Sequence, residues 1–279
     1  MLIENLIRRA AILRKLRAFF DERGFTEVET PVRIKAPAPE VHIDCPRSGD
    51  KFLRASPELQ MKKLLAAGMD KIYNLGPCFR EGENGSRHSE EFTMLEWYRL
   101  NATYNHILRD MELLIENLSG NKVFEHLTVR DAYRRFAAWD PFTDFDQDRF
   151  DYDMATKVEP NLRGWVFLRD YPPECASLSQ VGRDPRGTPP YAQRWELYHD
   201  GLELANCFTE LCSEKEQRAR FAQAQKERRA FGEADYPLDE EFLSSLPLIK
   251  SAAGVALGID RLIMCLLGAQ NIAQVRVLD

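Results

Sequence analysis

Long apolar runs are missing from these 279 residues. No window approaches the roughly 18 uninterrupted apolar residues of a membrane-spanning helix, which excludes such a span. The N-terminal stretch lacks the apolar core and small-residue cleavage site of a secretory signal. There is no excess of positive charge: the net charge is −6. The whole surface is therefore not a nucleic-acid-binding one, although a local basic patch stays open. No Pro/Gly/Ser tract and no internal repeat is present, so composition gives no sign of disorder. The six cysteines (Cys45, Cys78, Cys175, Cys207, Cys212 and Cys265) contain no CxxC pair. Cys207 and Cys212 have the wrong spacing for a zinc knuckle and no His pair nearby. All six are expected to be free thiols in a reducing cytoplasm. A phosphate-binding GxxxxGK[ST] loop is also missing, which removes the P-loop enzymes.

What is present is a foldable chain, 44% hydrophobic and 29% charged. Leu6, Ala10, Leu13, Leu16 and Phe20 recur at helical spacing and predict a helix over 5–23, stopped by Gly24. Its other face (Arg8, Arg9, Arg14, Lys15, Arg17) reads as solvated. Residues 25–31 are β-rich and end at Pro31, which places them at a sheet edge or an interface. A loop spans 36–48 and a strand 51–55, and a helix from Pro57 to about Ala67 is capped by Ser56. Strands are expected at 72–80 and 91–100, and helices at 104–118 and 128–138. The stretch 139–190 reads as an irregular insertion, with a short strand at 165–169 and a loop at 181–190. Asp200-Gly201 is a hairpin signal between 195–198 and 202–207. Ser213-Glu214-Lys215-Glu216 is a capping box opening a helix to about Phe231. A last strand over 254–259 enters a helix at Asp260-Arg261. Sequential strands joined by hairpins predict an α+β fold, an antiparallel sheet flanked by helices.

Candidate chemistry lies on these strands. With period two, Phe92, Met94, Glu96 and Tyr98 share one strand face, while Thr93, Leu95 and Trp97 face the core. A carboxylate beside aromatics must be paired or must bind something. Taken alone, Glu96 could equally be salt-bridged to a local arginine. The Asp200-Gly201 turn pairs Tyr198 with Glu203 and sets Glu196 diagonal to Glu203. Two carboxylates that close suit a Mg²⁺ ion completed by phosphate and water. A solvent-facing acidic hairpin would have the same pattern. Asn206 and Glu210 break strict alternation with Glu203, so a bulge or turn is required for them to converge. Arg80, Arg87, His88 and Arg261 are basic partners, and the small residues from Gly254 to Gly258 precede a helix N-terminus suited to phosphate.

The series Thr30-Pro31, Phe79-Arg80, Arg87-His88, EFTMLEWY at 91–98, ELANCFTE at 203–210 and GVALGIDR at 254–261 resembles motifs 1, 2 and 3 of the class II aminoacyl-tRNA synthetases. Within them it resembles the lysyl branch, and most closely the short paralogues that act as elongation factor P–(R)-β-lysine ligases. The resemblance covers nearly the whole chain and is weakest over 139–190. It implies a single class II catalytic domain over 1–279, without the N-terminal anticodon-binding domain of the full synthetases.

The resemblance also implies roles. Phe92 would stack on adenine, with Glu81 or Glu83 contacting it. Arg80 and Arg261 would hold the ATP phosphates and act in catalysis, with His88 and Gly258 nearby. Glu196 and Glu203 would carry Mg²⁺, and Asn206 would position substrate. Glu96, Tyr98 and Glu210 would bind the side-chain ammonium of a lysine-like substrate, and Glu58 its other amine. Ala256 stands where the synthetases show Gly, which favours β-lysine over α-lysine. Cys207 also replaces a family Gly. The implied partners are lysine or β-lysine, elongation factor P as protein acceptor and a second copy of the chain in a homodimer. A tRNA is not expected, nor is a membrane. Another acceptor, or a non-catalytic lysine-binding subunit, would be the rival functions.

Overall fold

The computed structural model describes residues 2–183 and 189–278. The centre of the predicted 181–190 loop lies outside them. The first helix, α1 (Leu2–Asp21), is stopped where Gly24 takes φ +73° and Phe25 N–H returns to Phe20 O. Only its C-terminal part is buried. Phe20 stacks on Tyr73 at 4.8 Å and meets Phe25 and Trp97 at 5.1 and 5.2 Å. Near its start, Ile3 and Ile7 are 76% and 65% exposed. The basic face is not simply solvated. Arg9 forms a 2.6 Å ion pair with the buried Asp260 and donates to Thr93 Oγ1 at 2.9 Å.

Strand β1 (Thr26–Glu27) is a parallel edge, as Pro31 suggests. β2 (Arg33–Ile34), β3 (Arg47–Ser48) and β4 (Lys51–Leu53) form a small antiparallel sheet of their own. Helix α2 (Glu58–Ala66) starts one residue later than its sequence suggests. Pro57 is the N-cap, and Ser56 Oγ accepts the Glu58 N–H at 3.0 Å from one position further out. β5 (Lys71–Phe79) and β6 (Glu91–Leu100) pair antiparallel, from Lys71–Arg99 to Phe79–Glu91.

Helix α3 (Tyr104–Ser119) follows, then β7 (Phe124–Thr128), α4 (Val129–Phe136), α5 (Gln147–Asp153), a π turn over Met154–Val158, β8 (Trp165–Tyr171) and β9 (Val181–Gly182). Next come β10 (Tyr191–His199) and β11 (Leu202–Thr209). Asp200 and Gly201 both adopt positive φ between them, at +48° and +75°, as the hairpin signal requires. A Cβ on Gly201 would lie 2.7 Å from Glu159 O, so space and φ both demand glycine. The chain ends with α6 (Glu214–Phe231), capped by Ser213, then α7 (Glu240–Ser245), β12 (Ala252–Gly258) and α8 (Ile259–Leu267). The sequence analysis did not anticipate β7, α5, β9 or α7.

The chain divides into two compact units. One holds 1–101, 211–252 and 256–279, with β1-β5-β6 and the small sheet. The other holds 102–210 and 253–255, with β11-β10-β8-β7 and β9 on the edge of β10. The class is α+β. Pairing is antiparallel at β5–β6, β8–β10, β9–β10 and β10–β11 but parallel at β1–β5 and β7–β8, so the pairing is mixed rather than purely antiparallel. The second unit has its own core, in which Tyr133 stacks on Phe150 at 4.7 Å under Val166, Leu168 and Tyr171. All six cysteines are free thiols. Among the described residues no helix is long and apolar enough to cross a membrane.

Candidate active site

In the first unit, Arg80 directly follows β5 and Phe92 is the second residue of β6. The guanidinium stands over the Phe92 ring at 5.3 Å. Arg80 Nη1 reaches Glu83 at 3.7 Å, while its Nε is sequestered without an acceptor. A buried guanidinium N–H left in this state suits an anion. Glu81 is exposed, and its N–H donates to Asp44 O. The 81–90 loop folds back on itself through a Gly85–His88 bridge. Arg261 Nε approaches Arg87 O at 3.4 Å. Partial burial, and then the nearby Arg261 charge, push the His88 pKa below its usual range.

Asp260 is structural. It accepts the Thr93 N–H at 2.8 Å and meets Arg9 and Arg276, so it ties α8 to β6 and α1. It thereby fixes the place of Arg261, the next residue. Gly258, the N-cap of α8, supplies no side-chain cap, and Ala256 lies on the same face of β12, two residues earlier.

Glu96 is fully buried. Ser56 Oγ donates to one of its oxygens at 2.6 Å and Tyr98 OH to the other at 3.0 Å. Neither partner is a cation. Burial first, and the neighbouring Glu58 charge second, push its pKa up to about 7. Glu58 is itself held at 2.5 Å by Lys62, one helical turn on and 1% exposed. Glu58 and Ser56 line a pocket with Glu40 and Cys45. The loop carrying Glu40 to Asp44 is clamped by the fully buried Arg228, which donates to Glu40 O, Ile43 O and Asp44. This unit thus gathers Glu58 and Tyr98 around the buried Glu96 carboxylate, whose hydrogen-bond partners are hydroxyls and which the charge of Arg54 offsets only in part.

In the second unit the ladder pairs Tyr198 with Glu203 and Glu196 with Asn206, with a register shift between them. Leu204 is the extra residue, and this bulge restores Asn206 to the Glu203 face. Phe208 continues in phase with Asn206, and the buried Glu210 lies just past the end of β11, bridged to Ser179. The bulge that the sequence required is therefore present, and it sets Glu203 and Asn206 on one face. Cys207 pairs with Trp195 on the opposite face, where Trp195 Nε1 donates to Tyr104 O of α3. Its thiol thus points away from Glu196 and Asn206.

Glu196 is buried and crowded with donors. Tyr171 OH and Tyr198 OH donate to its Oε2 at 2.5 and 2.7 Å, and Arg194 pairs with Oε1. Two glutamates on one strand-pair face are hard oxygen donors of the kind Mg²⁺ takes, and they leave most of an octahedral shell to phosphate and water. Among the described residues no group of three or more His, Cys, Asp or Glu could hold a metal alone. The pair therefore fits a magnesium ion that arrives with a nucleotide.

Against known proteins, residues 1–278 match the model of the tRNA synthetases class II (D, K and N). The chain belongs to that family. It is 35% identical to the elongation factor P–(R)-β-lysine ligase of Proteus mirabilis (strain HI4320), over 98% of this chain and 94% of that protein. It is 33% identical, with the same coverage, to the ligases so named from Salmonella paratyphi B (strain ATCC BAA-1250 / SPB7) and Salmonella schwarzengrund (strain CVM19633). As a class II synthetase fold, the chain owes several site features to residues that the motifs did not supply. Arg194 was findable, since period two puts it on the Glu196 face. Lys62 was findable as the i+4 partner of Glu58. Tyr171 carries no local signal, because 25 residues separate it from Glu196.

Proposed function

We propose that this chain is an ATP-dependent ligase that activates a lysine-like amino acid, (R)-β-lysine, and transfers it to a lysine ε-amine of translation elongation factor P. The observation that carries this reading is Glu96, a buried carboxylate held only by hydroxyl donors and raised toward neutrality. Such a group gains most when an ammonium arrives. The relatives' name supplies the acceptor.

In the first step the substrate carboxylate attacks the α-phosphorus of ATP and pyrophosphate leaves. Arg80, with its acceptor-free Nε, and Arg261 hold the phosphates against the charge that develops on them. Phe92 stacks on adenine, and Glu83, beside Arg80, is the better placed of the two candidate adenine contacts. His88 and Gly258 flank the phosphates. Glu96, Tyr98 and Glu210 take the side-chain ammonium, Glu58 takes the other amine, and Asn206 orients the carboxylate end. Glu196 and Glu203 would hold Mg²⁺, which when bound neutralises phosphate charge. In the second step the acceptor amine attacks the adenylate carbonyl and AMP leaves. A substrate without the second amine would leave a buried carboxylate uncompensated and be rejected. Ala256 favours the β-amino acid.

The protein is further proposed to act in the cytoplasm as one catalytic domain. It is also proposed to form a homodimer through α1 and the segment around Pro31, supported by the exposed Ile3 and Ile7. Sedimentation of the purified chain tests the dimer. ATP–pyrophosphate exchange with (R)-β-lysine and α-lysine side by side, followed by addition of elongation factor P with mass as readout, tests the activity. Exchange favouring β-lysine and a mass gain on the factor is the expected result. No exchange with either amino acid overturns the reading.

A further inference from the structure

We propose that Arg194 is a positioning residue that withholds Glu196 from a divalent cation until a nucleotide carries one in. This rests on the reading of Glu196 and Glu203 as magnesium ligands.

The guanidinium is fixed on three sides. Nε donates to Asn206 Oδ1 at 3.1 Å, Nη1 donates to Cys175 O at 3.0 Å, and Nη2 pairs with Glu196 Oε1. Below it lies the Tyr171 ring, with its centroid at 4.5 Å. The same tyrosine's hydroxyl, together with that of Tyr198, occupies Glu196 Oε2. Each oxygen of the carboxylate therefore already faces a hydroxyl donor or a fixed positive charge. A bare divalent ion on Oε1 would sit within about 5 Å of the guanidinium. In a half-buried setting that repulsion lowers affinity by about tenfold or more. An ion wrapped in triphosphate arrives as part of an anion, and the same guanidinium then attracts it. The sign of the Arg194 effect reverses with the nucleotide. Because Nε also holds Asn206, the two residues are set in one geometry before either ligand arrives.

The test is Mn²⁺ binding to the full chain, read from the loss of the free-ion electron paramagnetic resonance signal. It compares wild type, R194Q and R194K, each with and without a non-hydrolysable ATP analogue. Wild type should bind Mn²⁺ weakly alone. R194Q should bind it about tenfold or more tighter without nucleotide, while R194K, which keeps the charge, stays with wild type. Equal nucleotide-free affinity in wild type and R194Q overturns the proposal. If R194Q does not fold, wild type alone decides: nucleotide-free affinity within about threefold of that with the analogue also overturns it. E196Q separates the two layers. If the Mg²⁺ requirement of ATP–pyrophosphate exchange is unchanged in E196Q, the metal reading of Glu196 falls and takes Arg194 with it. If E196Q raises that requirement while R194Q binds Mn²⁺ like wild type, the Arg194 proposal alone falls.

Discussion

Two glutamates, one in each unit, sit in the same local frame. Glu96 precedes Tyr98 by two residues on β6 and accepts from its hydroxyl at 3.0 Å; Glu196 precedes Tyr198 by two on β10 and accepts at 2.7 Å. Both are buried. They differ in the next partner, which is a serine hydroxyl at Glu96 and a guanidinium at Glu196. A hydroxyl satisfies geometry without offsetting charge, so Glu96 is driven toward its neutral form. A guanidinium does both. One carboxylate has no cation among its direct partners, and the other has one. The strand motif is thus shared, while a single residue outside it decides whether the acid is a receptor for charge or part of a closed pair.

Substitutions can break this contrast. The largest effect is expected from Glu96→Gln. Removing the charge that a buried ammonium needs should cut kcat/KM for amino-acid activation by about 10²–10³-fold in pyrophosphate exchange. Stability should be unchanged or slightly raised, since the amide has no ionisation to suppress. Glu196→Gln should do the opposite to the fold. It strands a mostly buried guanidinium and should cost about 2–3 kcal/mol in urea denaturation. Equal stability losses in the two variants would erase the contrast.

A third effect comes from pH. The native protein holds a proton on Glu96 more tightly than the unfolded chain does. Its contribution is therefore full below the ordinary value of 4.5 and is lost as pH rises toward about 7. Wild-type stability measured against Glu96→Gln should fall over that window by on the order of 2–3 kcal/mol. A saturating diamino acid should remove the fall. The smallest effect is expected from Ser56→Ala, which deletes one hydrogen bond to Glu96. It should raise the KM for the amino acid several-fold, about 1 kcal/mol, with kcat little altered.

Elements with local signals were legible in the sequence. The Asp200-Gly201 hairpin, the β5–β6 pair and the two faces of β6 follow from turn chemistry and period two, and the structure has them. So does the need for a bulge before Asn206. What was not legible was set by distant partners. The role of Ser56 looked like a cap, because nothing local says that Glu96 lies across from it, 40 residues on. Arg9 looked solvated until α8 brought Asp260 to it. β7 has little alternation to reveal it and owes its place to β8. The site residues were found mainly as motifs, whereas their state of charge came from neighbours such as Lys62, Arg194 and Tyr171 that the motifs do not contain.

The extra residue at Leu204 works as a change of phase. On either side of it the strand alternates faithfully, but the count restarts, so odd-numbered Glu203 and even-numbered Asn206 look the same way. The same residues paired without the bulge would stay intact in sequence, yet each one downstream would fall in the wrong layer. Cys207 would turn in among the polar side chains and Asn206 would turn out against a helix. Part of what this stretch encodes is therefore arithmetic: a parity that no single side chain carries, and that smoothing out the bulge would destroy without altering a site residue.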